Sequence, residues 1–233
     1  MSKREEFRER RRRAARRRQL SFLAIVGGLA VLVAAFIIYQ NTRPVGAIVS
    51  ITPVAVPSPN GREMGDPNAP VVMEVFSDFQ CPYCGILAQD AERQIIDTYV
   101  AAGKVRLIYR NFVIIGTESL DAARASLCAG EQQRFWDYHD ILFANQTGEN
   151  AGDFTERRLM AFSAELGLDQ GAFRTCFDSR KFDDQIAQDK ALGQSLGISS
   201  TPSSTINGQL FKGALPFSEF EKVIEAELAK LAS

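Results

Sequence analysis

Val71-Val72-Met73-Glu74-Val75-Phe76, followed by Ser77-Asp78-Phe79-Gln80 and then Cys81-Pro82-Tyr83-Cys84, is the segment from which the rest of the chain can be ordered. Apart from Glu74, the first six residues are β-branched, aromatic or long apolar, which reads as a buried strand. A short loop leads to two cysteines separated by two residues. Pro82 suits the first position of a helix, where a missing N–H costs nothing. Beyond it Leu87, Ala91, Ile95 and Tyr99 recur at helical spacing, with Gly103 as the C-cap. Val105 to Phe112 (VRLIYRNF) reads as a second strand. Strand, helix, strand makes a right-handed βαβ unit with parallel strands.

The far end of the chain is a different unit. Ser203-Ser204-Thr205-Ile206, Asn207-Gly208 and Gln209-Leu210-Phe211 form a hairpin, since Asn-Gly favours a two-residue type I′ turn. Ser218-x-x-Glu221 reads as a capping box opening a last helix, whose apolar stripe is Phe220, Val223, Ile224, Leu228 and Leu231. Between the two units the pattern is helical throughout. Helices are expected at Thr117–Ala129, Gln133–Phe143, Thr155–Leu166, Gln170–Phe177 and Lys181–Leu196. The element order is β-α-β, a helical block, then β-β-α, which makes an α/β domain.

Asp78-Phe79-Gln80-Cys81-Pro82-Tyr83-Cys84, the run Phe135-Trp136-Asp137-Tyr138-His139-Asp140 inside the helical block, and Thr201-Pro202 ahead of the hairpin together resemble the DsbA-like branch of the thioredoxin superfamily. The resemblance covers about residues 64–231. It implies a thioredoxin fold with an all-helical insertion at about 115–197. It also implies that the Thr201-Pro202 bond is cis, a minority state for X–Pro, and that it packs beside the two cysteines.

On the N-terminal side the composition changes sharply. Ten Lys/Arg against three Asp/Glu give residues 1–19 a net charge of +7, while the remaining 17 basic and 25 acidic residues give −8. A mildly acidic body gives no reason to expect a nucleic-acid partner. Leu20 to Tyr39 is twenty residues without a charge. As a helix it would span about 30 Å, enough to cross a bilayer. With the basic segment 1–19 on the cytoplasmic side, the positive-inside rule places everything after the span outside. A cleaved signal peptide is the alternative. The apolar run is long for one and no clean small-x-small site precedes Gln40, so a retained anchor is preferred. Arg17-Arg18-Gln19-Leu20-Ser21 matches a twin-arginine signal only in part. Six of the nine prolines, Pro44, Pro53, Pro57, Pro59, Pro67 and Pro70, follow the span. Such chain is extended and semi-rigid, and residues 40–63 are expected to be a tether. The remaining 64–233 would be the folded domain, an ordinary size for a chain that is 45% hydrophobic.

The chemistry is read from the cysteines. Disulfide exchange requires a thiolate, and a free thiol with a pKa near 8.5 is mostly protonated at neutral pH. Cys81 falls at the N-cap, where unpaired N–H groups and the helix dipole favour negative charge. Cys84 falls at the third helical position on the same turn. Cys81 is therefore expected to be the exposed attacking thiol and Cys84 the resolving one. Tyr83 stands where the more oxidising relatives implied by the resemblance often carry His; its uncharged ring implies a milder oxidant. Glu74 is a charge in an apolar strand, and a buried unpaired carboxylate has a raised pKa. The resemblance implies that it accepts a proton from the resolving cysteine, while the plainer reading is a paired or solvated strand-edge acid. Once Cys81 and Cys84 are committed locally, Cys128 and Cys176 remain as a structural disulfide or as two buried thiols, and an oxidising compartment favours the bridge.

No metal is expected. A zinc site needs four ligands, commonly two short-spaced pairs, and only Cys128, Cys176 and the single His139 are left over. His139 reads as structural, and Phe135 and Trp136 as core. The function expected is a thiol–disulfide oxidoreductase that introduces disulfides into folding extracytoplasmic proteins, without a cofactor. A mixed disulfide would form on Cys81, and Pro202, lacking an N–H, would leave open backbone beside the sulfur. Thr201 would offer main-chain hydrogen bonds to an extended substrate. The resemblance implies reoxidation by a quinone-linked membrane partner. A reductase or isomerase would use the same residues. A membrane-tethered scaffold with a structural Cys81–Cys84 bridge is the non-enzymatic alternative.

Overall fold

The computed structural model describes residues 3–42 and 45–230, with backbone only for 3–15 and 40–42. Pro44 and Leu231 lie outside the described residues. The chain divides into two compact units, residues 1–46 and the chain from Ala47 onward.

The described residues of the first unit contain one helix, α1 (Lys3–Thr42). Its segment Arg16–Tyr39 has a mean hydropathy of 2.7 and is long and apolar enough to cross a membrane. The large apolar side chains from Leu20 to Tyr39 are exposed around the whole circumference of the helix. An apolar surface of that extent is stable only against another apolar phase.

In the second unit five strands form one sheet in the order β1-β3-β2-β4-β5. They are β1 (Glu63–Met64), β2 (Val71–Ser77), β3 (Val105–Asn111), β4 (Ser203–Ile206) and β5 (Gln209–Lys212). β2 and β3 are parallel, from Val71 opposite Val105 to Ser77 opposite Asn111. β4 joins the other side of β2 antiparallel, and β5 closes the hairpin. β1 pairs antiparallel with β3; at two residues it is too short to carry a periodic signal. The turn residues Asn207 (φ +46°) and Gly208 (φ +84°) both adopt the left-handed conformation that a type I′ turn demands. The Asn207 carboxamide also accepts from the Val72 N–H at 2.9 Å, fastening the turn to β2.

The helix after Cys81 is not continuous. It runs as α2 (Pro82–Gln89), breaks at Asp90, resumes as α3 (Ala91–Ile95) and ends in a π-helical turn at Ile96–Val100. The spacing Leu87, Ala91, Ile95, Tyr99 explains this. Steps of four residues advance about 40° past a full turn in a straight α-helix, so three such steps would spiral off one face. A break and a wider turn restore the alignment, and all four side chains are buried against the sheet.

The helical block comprises α4 (Thr117–Glu131), α5 (Phe135–Ala144), α6 (Glu156–Glu165), α7 (Gln170–Ser179) and α8 (Asp183–Ser195). A disulfide between Cys128 and Cys176 joins α4 to α7. The last helix, α9 (Phe217–Ala229), buries Phe220 and Ile224. It begins one residue before the expected capping box. Pro216 occupies the N-cap with extended backbone and Ser218 lies inside the helix, so no side-chain cap forms.

Residues 47–58, within the stretch expected to be an extended tether, lie along the domain. Ile48, Ile51 and Val56 pack on the core. The Asn145 carboxamide makes two hydrogen bonds to the Val49 backbone, accepting from its N–H and donating to its carbonyl, each at 2.8 Å. Prolines prevent this segment from forming a helix, but an extended chain with apolar residues still has a face to bury.

Candidate active site

β2 delivers the chain to the sheet's C-terminal edge, and the loop there is fixed by two buried polar side chains. The Asp78 carboxylate accepts from the Gln80 N–H at 2.9 Å, and from the N–H groups of Ile114 at 2.9 Å and Ile115 at 3.1 Å. It thereby ties the β2–α2 loop to the β3–α4 loop. Gln80 donates to the Ser119 hydroxyl at 2.8 Å and accepts from the Asn150 N–H at 2.6 Å. Neither residue has a role among the sequence expectations. Their signal is a pair of polar residues placed directly before the cysteines, where they brace the loop against the helical block.

Cys81 is the N-cap of α2, with extended backbone (φ −76°, ψ 118°) and Pro82 behind it. Its carbonyl accepts from the N–H groups of Cys84 at 3.0 Å and Gly85 at 3.3 Å. Its thiol donates to the Thr201 carbonyl at 3.4 Å, across 120 residues of sequence. The Thr201-Pro202 bond is cis. The two cysteines and the Thr-Pro pair, distant in the chain, thus meet at one point. Both cysteines are free thiols. Cys81 is 6% exposed and Cys84 1%, so the expected attacking sulfur is the more accessible of the two but is not an exposed residue. Tyr83, at 65% exposed, forms the open surface beside it.

The two thiols differ electrostatically. Cys81 is lowered from 9.0 to about 6. The Cys84 thiol, donating to the sulfur anion, is the largest cause. The Thr201 hydroxyl and the N–H groups of Cys84 and Tyr83 add to it, against an opposing desolvation. Cys84 is raised well above the ordinary value, first by burial and then by donating to and facing the Cys81 anion. One sulfur carries the charge and its neighbour carries the proton.

Glu74 lies elsewhere. Strand residues alternate faces, so it projects opposite to Ser77, whose hydroxyl is bonded to Cys84. The Glu74 carboxylate is 2.6 Å from Arg110 on β3 and accepts from the Thr205 hydroxyl at 3.3 Å, with its side chain 20% exposed. The unpaired buried acid on which the proton-relay expectation depended is therefore absent at this position, because β3 supplies a cation two residues from its register partner Ile108. Glu92 on α3 is a buried carboxyl, although in the sequence it looks like one more polar helix position.

A thiol at a helix start, a buried second thiol one turn on and a cis-proline loop against the first sulfur define a thioredoxin-fold protein with a two-cysteine centre. Residues 58–226 match the family model described as thioredoxin, and the chain belongs to this family, in its DsbA-like branch. It is 29% identical over 174 residues to a probable disulfide bond formation protein D of Bacillus cereus, covering 72% of this chain and 79% of that protein. Oxidised BdbD from Bacillus subtilis superposes with a TM-score of 0.68 at 25% identity, covering 76% of this chain and all of that one. A Na(+)/H(+) antiporter NhaA 3 of Salinispora tropica is 32% identical over 172 residues, or 72% of this chain. The chain spans about a quarter of the length of such antiporter relatives.

Proposed function

We propose that this protein is a membrane-anchored thiol–disulfide oxidoreductase that introduces disulfides into extracytoplasmic proteins. The observation that carries the reading is the opposed pair of thiols: Cys81 at about 6, 3.4 Å from the Thr201 carbonyl, and Cys84 held protonated behind it. In the oxidised enzyme a substrate thiolate attacks the Cys81 sulfur. The Cys81–Cys84 bond breaks, a mixed disulfide forms on Cys81, and Cys84 leaves and takes up a proton. A second substrate thiolate then attacks the substrate's own sulfur and expels Cys81 as a thiolate. The substrate loses two electrons and becomes a disulfide, and the enzyme is left as the dithiol. A sulfur with a pKa of about 6 is a good leaving group, and its stability as an anion favours the reduced enzyme. Should a mixed disulfide stall, Cys84 resolves it by attacking Cys81.

The cis Thr201-Pro202 pair offers an edge without an N–H at Pro202, on which an extended substrate chain lies beside the sulfur. The +7 segment before the apolar helix supports a cytoplasmic N-terminus and an extracytoplasmic domain. Reoxidation is assigned to a membrane redox partner of the quinone-linked type. Equilibration of the full chain with glutathione tests the direction. The uncharged Tyr83 places the expected potential between about −120 and −200 mV. A value near that of thioredoxin, about −270 mV, would instead identify a reductase. The variant Cys84→Ala should accumulate mixed disulfides on Cys81; recovery of none would identify a structural bridge and overturn the enzymatic reading.

A further inference from the structure

A half-open cavity of about 490 Å³ lies between the docked segment 49–56, the helices α2 and α3 with the turn that follows, and α5. Val49, Ile51, Val56, Ile96 and Phe143 make most of it apolar. Its polar lining includes Glu92 and His139, each only 2% exposed.

These two groups are poorly served by the protein. His139 Nδ1 lies 2.9 Å from the Asp140 carboxylate, so Nδ1 carries its proton and Nε2 is the atom left to face the pair. Nε2 is buried and has no hydrogen-bond partner. The nearest polar group is the Glu92 carboxyl at 3.6 Å, beyond hydrogen-bond reach. Burial drives Glu92 upward. In His139 burial acts downward, but the bond to Asp140 and the charge of Glu92 outweigh it, so its value rises too. Both shifts favour a proton at a place where two acceptor atoms face each other without a hydrogen bond between them. The other charged groups lining the cavity are Asp140 and Arg93, and Arg93 is 3.5 Å from Asp97.

We propose that this cavity binds an organic primary ammonium with an apolar body. The ammonium has several N–H donors, enough to serve Glu92 and His139 Nε2 together. Its positive charge is met by two carboxylates, Glu92 and Asp140, with Trp136 and Phe143 supplying aromatic surface at the same wall. The hydrocarbon part takes the apolar volume, which is of the size that holds a small molecule. The incoming cation takes the place of a proton held there, so binding releases one proton to solvent and the buried charge is conserved.

The test uses the full chain in lipid nanodiscs, with empty nanodiscs as the blank. The probe is 2-phenylethylammonium and its neutral match is 2-phenylethanol. Calorimetry in two buffers of different ionisation enthalpy should give saturable binding of the ammonium at about millimolar concentration or below, with release of about one proton. The alcohol should bind about tenfold or more weakly, and Glu92→Gln should weaken the ammonium by a similar factor and abolish the proton release. Ala144→Phe, which fills the cavity from α5, should remove binding while circular dichroism and Cys81 alkylation stay unchanged. Equal binding of the alcohol, no proton release, retained affinity in folded Glu92→Gln, or no saturable binding to the wild-type chain would each overturn the assignment.

Discussion

Replacing Cys84 by alanine separates the sources of the Cys81 anion. In the wild type four donors hold the sulfur: the Cys84 thiol first, the Thr201 hydroxyl, and the N–H groups of Cys84 and Tyr83. Together they overcome desolvation and lower Cys81 from 9.0 to about 6. Three pH units correspond to about 4 kcal/mol in favour of the thiolate. At pH 7 such a thiol is about 90% ionised, against about 1% for an ordinary one. Cys84→Ala deletes the largest donor and keeps the helix N–H groups and Thr201. A rise of about one to two units is expected, which brings the thiolate at pH 7 down to about 10–50%. Cys84→Ser restores a donor and should fall between. The assay is the pH dependence of iodoacetamide alkylation, with thiolate absorbance as a second measure. An alanine variant titrating at or below the wild type would refute the argument, as would a wild-type Cys81 titrating near 9. The same shift sets a pH window for stability. A depressed thiol pKa contributes nothing below about 6, gains between 6 and 9.0, and is complete above 9.0. The reduced domain should therefore lose its advantage over the oxidised one as pH falls through 6, as measured by urea unfolding of both forms.

Tyr83→His places a titratable ring on the exposed turn between the cysteines and should raise the reduction potential in a glutathione titration; a lowered or unchanged value would contradict the role given to this position. Cys128→Ser combined with Cys176→Ser opens a cross-link spanning 48 residues and should cost about 2–4 kcal/mol in urea unfolding, with Cys81 alkylation unaltered. Asn145→Ala removes both hydrogen bonds to Val49. It should cost about 1–3 kcal/mol and speed amide exchange at Val49, whereas unchanged protection there would mean that packing alone holds the segment. Glu74→Gln, because of the Arg110 pair, should leave the pH profile of thiol exchange where it is.

Much of the molecule could be read from residue order because its causes are local. Pro82 can begin a helix and cannot continue a strand; Asn207-Gly208 has the conformations a tight turn needs; an uncharged run of twenty residues is long enough for a bilayer whatever surrounds it. Position at a helix start likewise marked Cys81 as the sulfur to hold the charge, although the Cys84 thiol contributes more to it than the helix N–H groups do. The remainder depended on groups that meet only after folding. Whether Glu74 is orphaned or paired was settled by the neighbouring strand, which brings Arg110 to it. Whether residues 47–58 hang free or dock was settled by Asn145, almost a hundred positions away. The burial of Glu92 beside His139 required α3 and α5 to close over the same face of the sheet. Backbone preference acts over a few residues and leaves its mark in sequence spacing. Charge pairing and burial act through space, so only the assembled chain determines them.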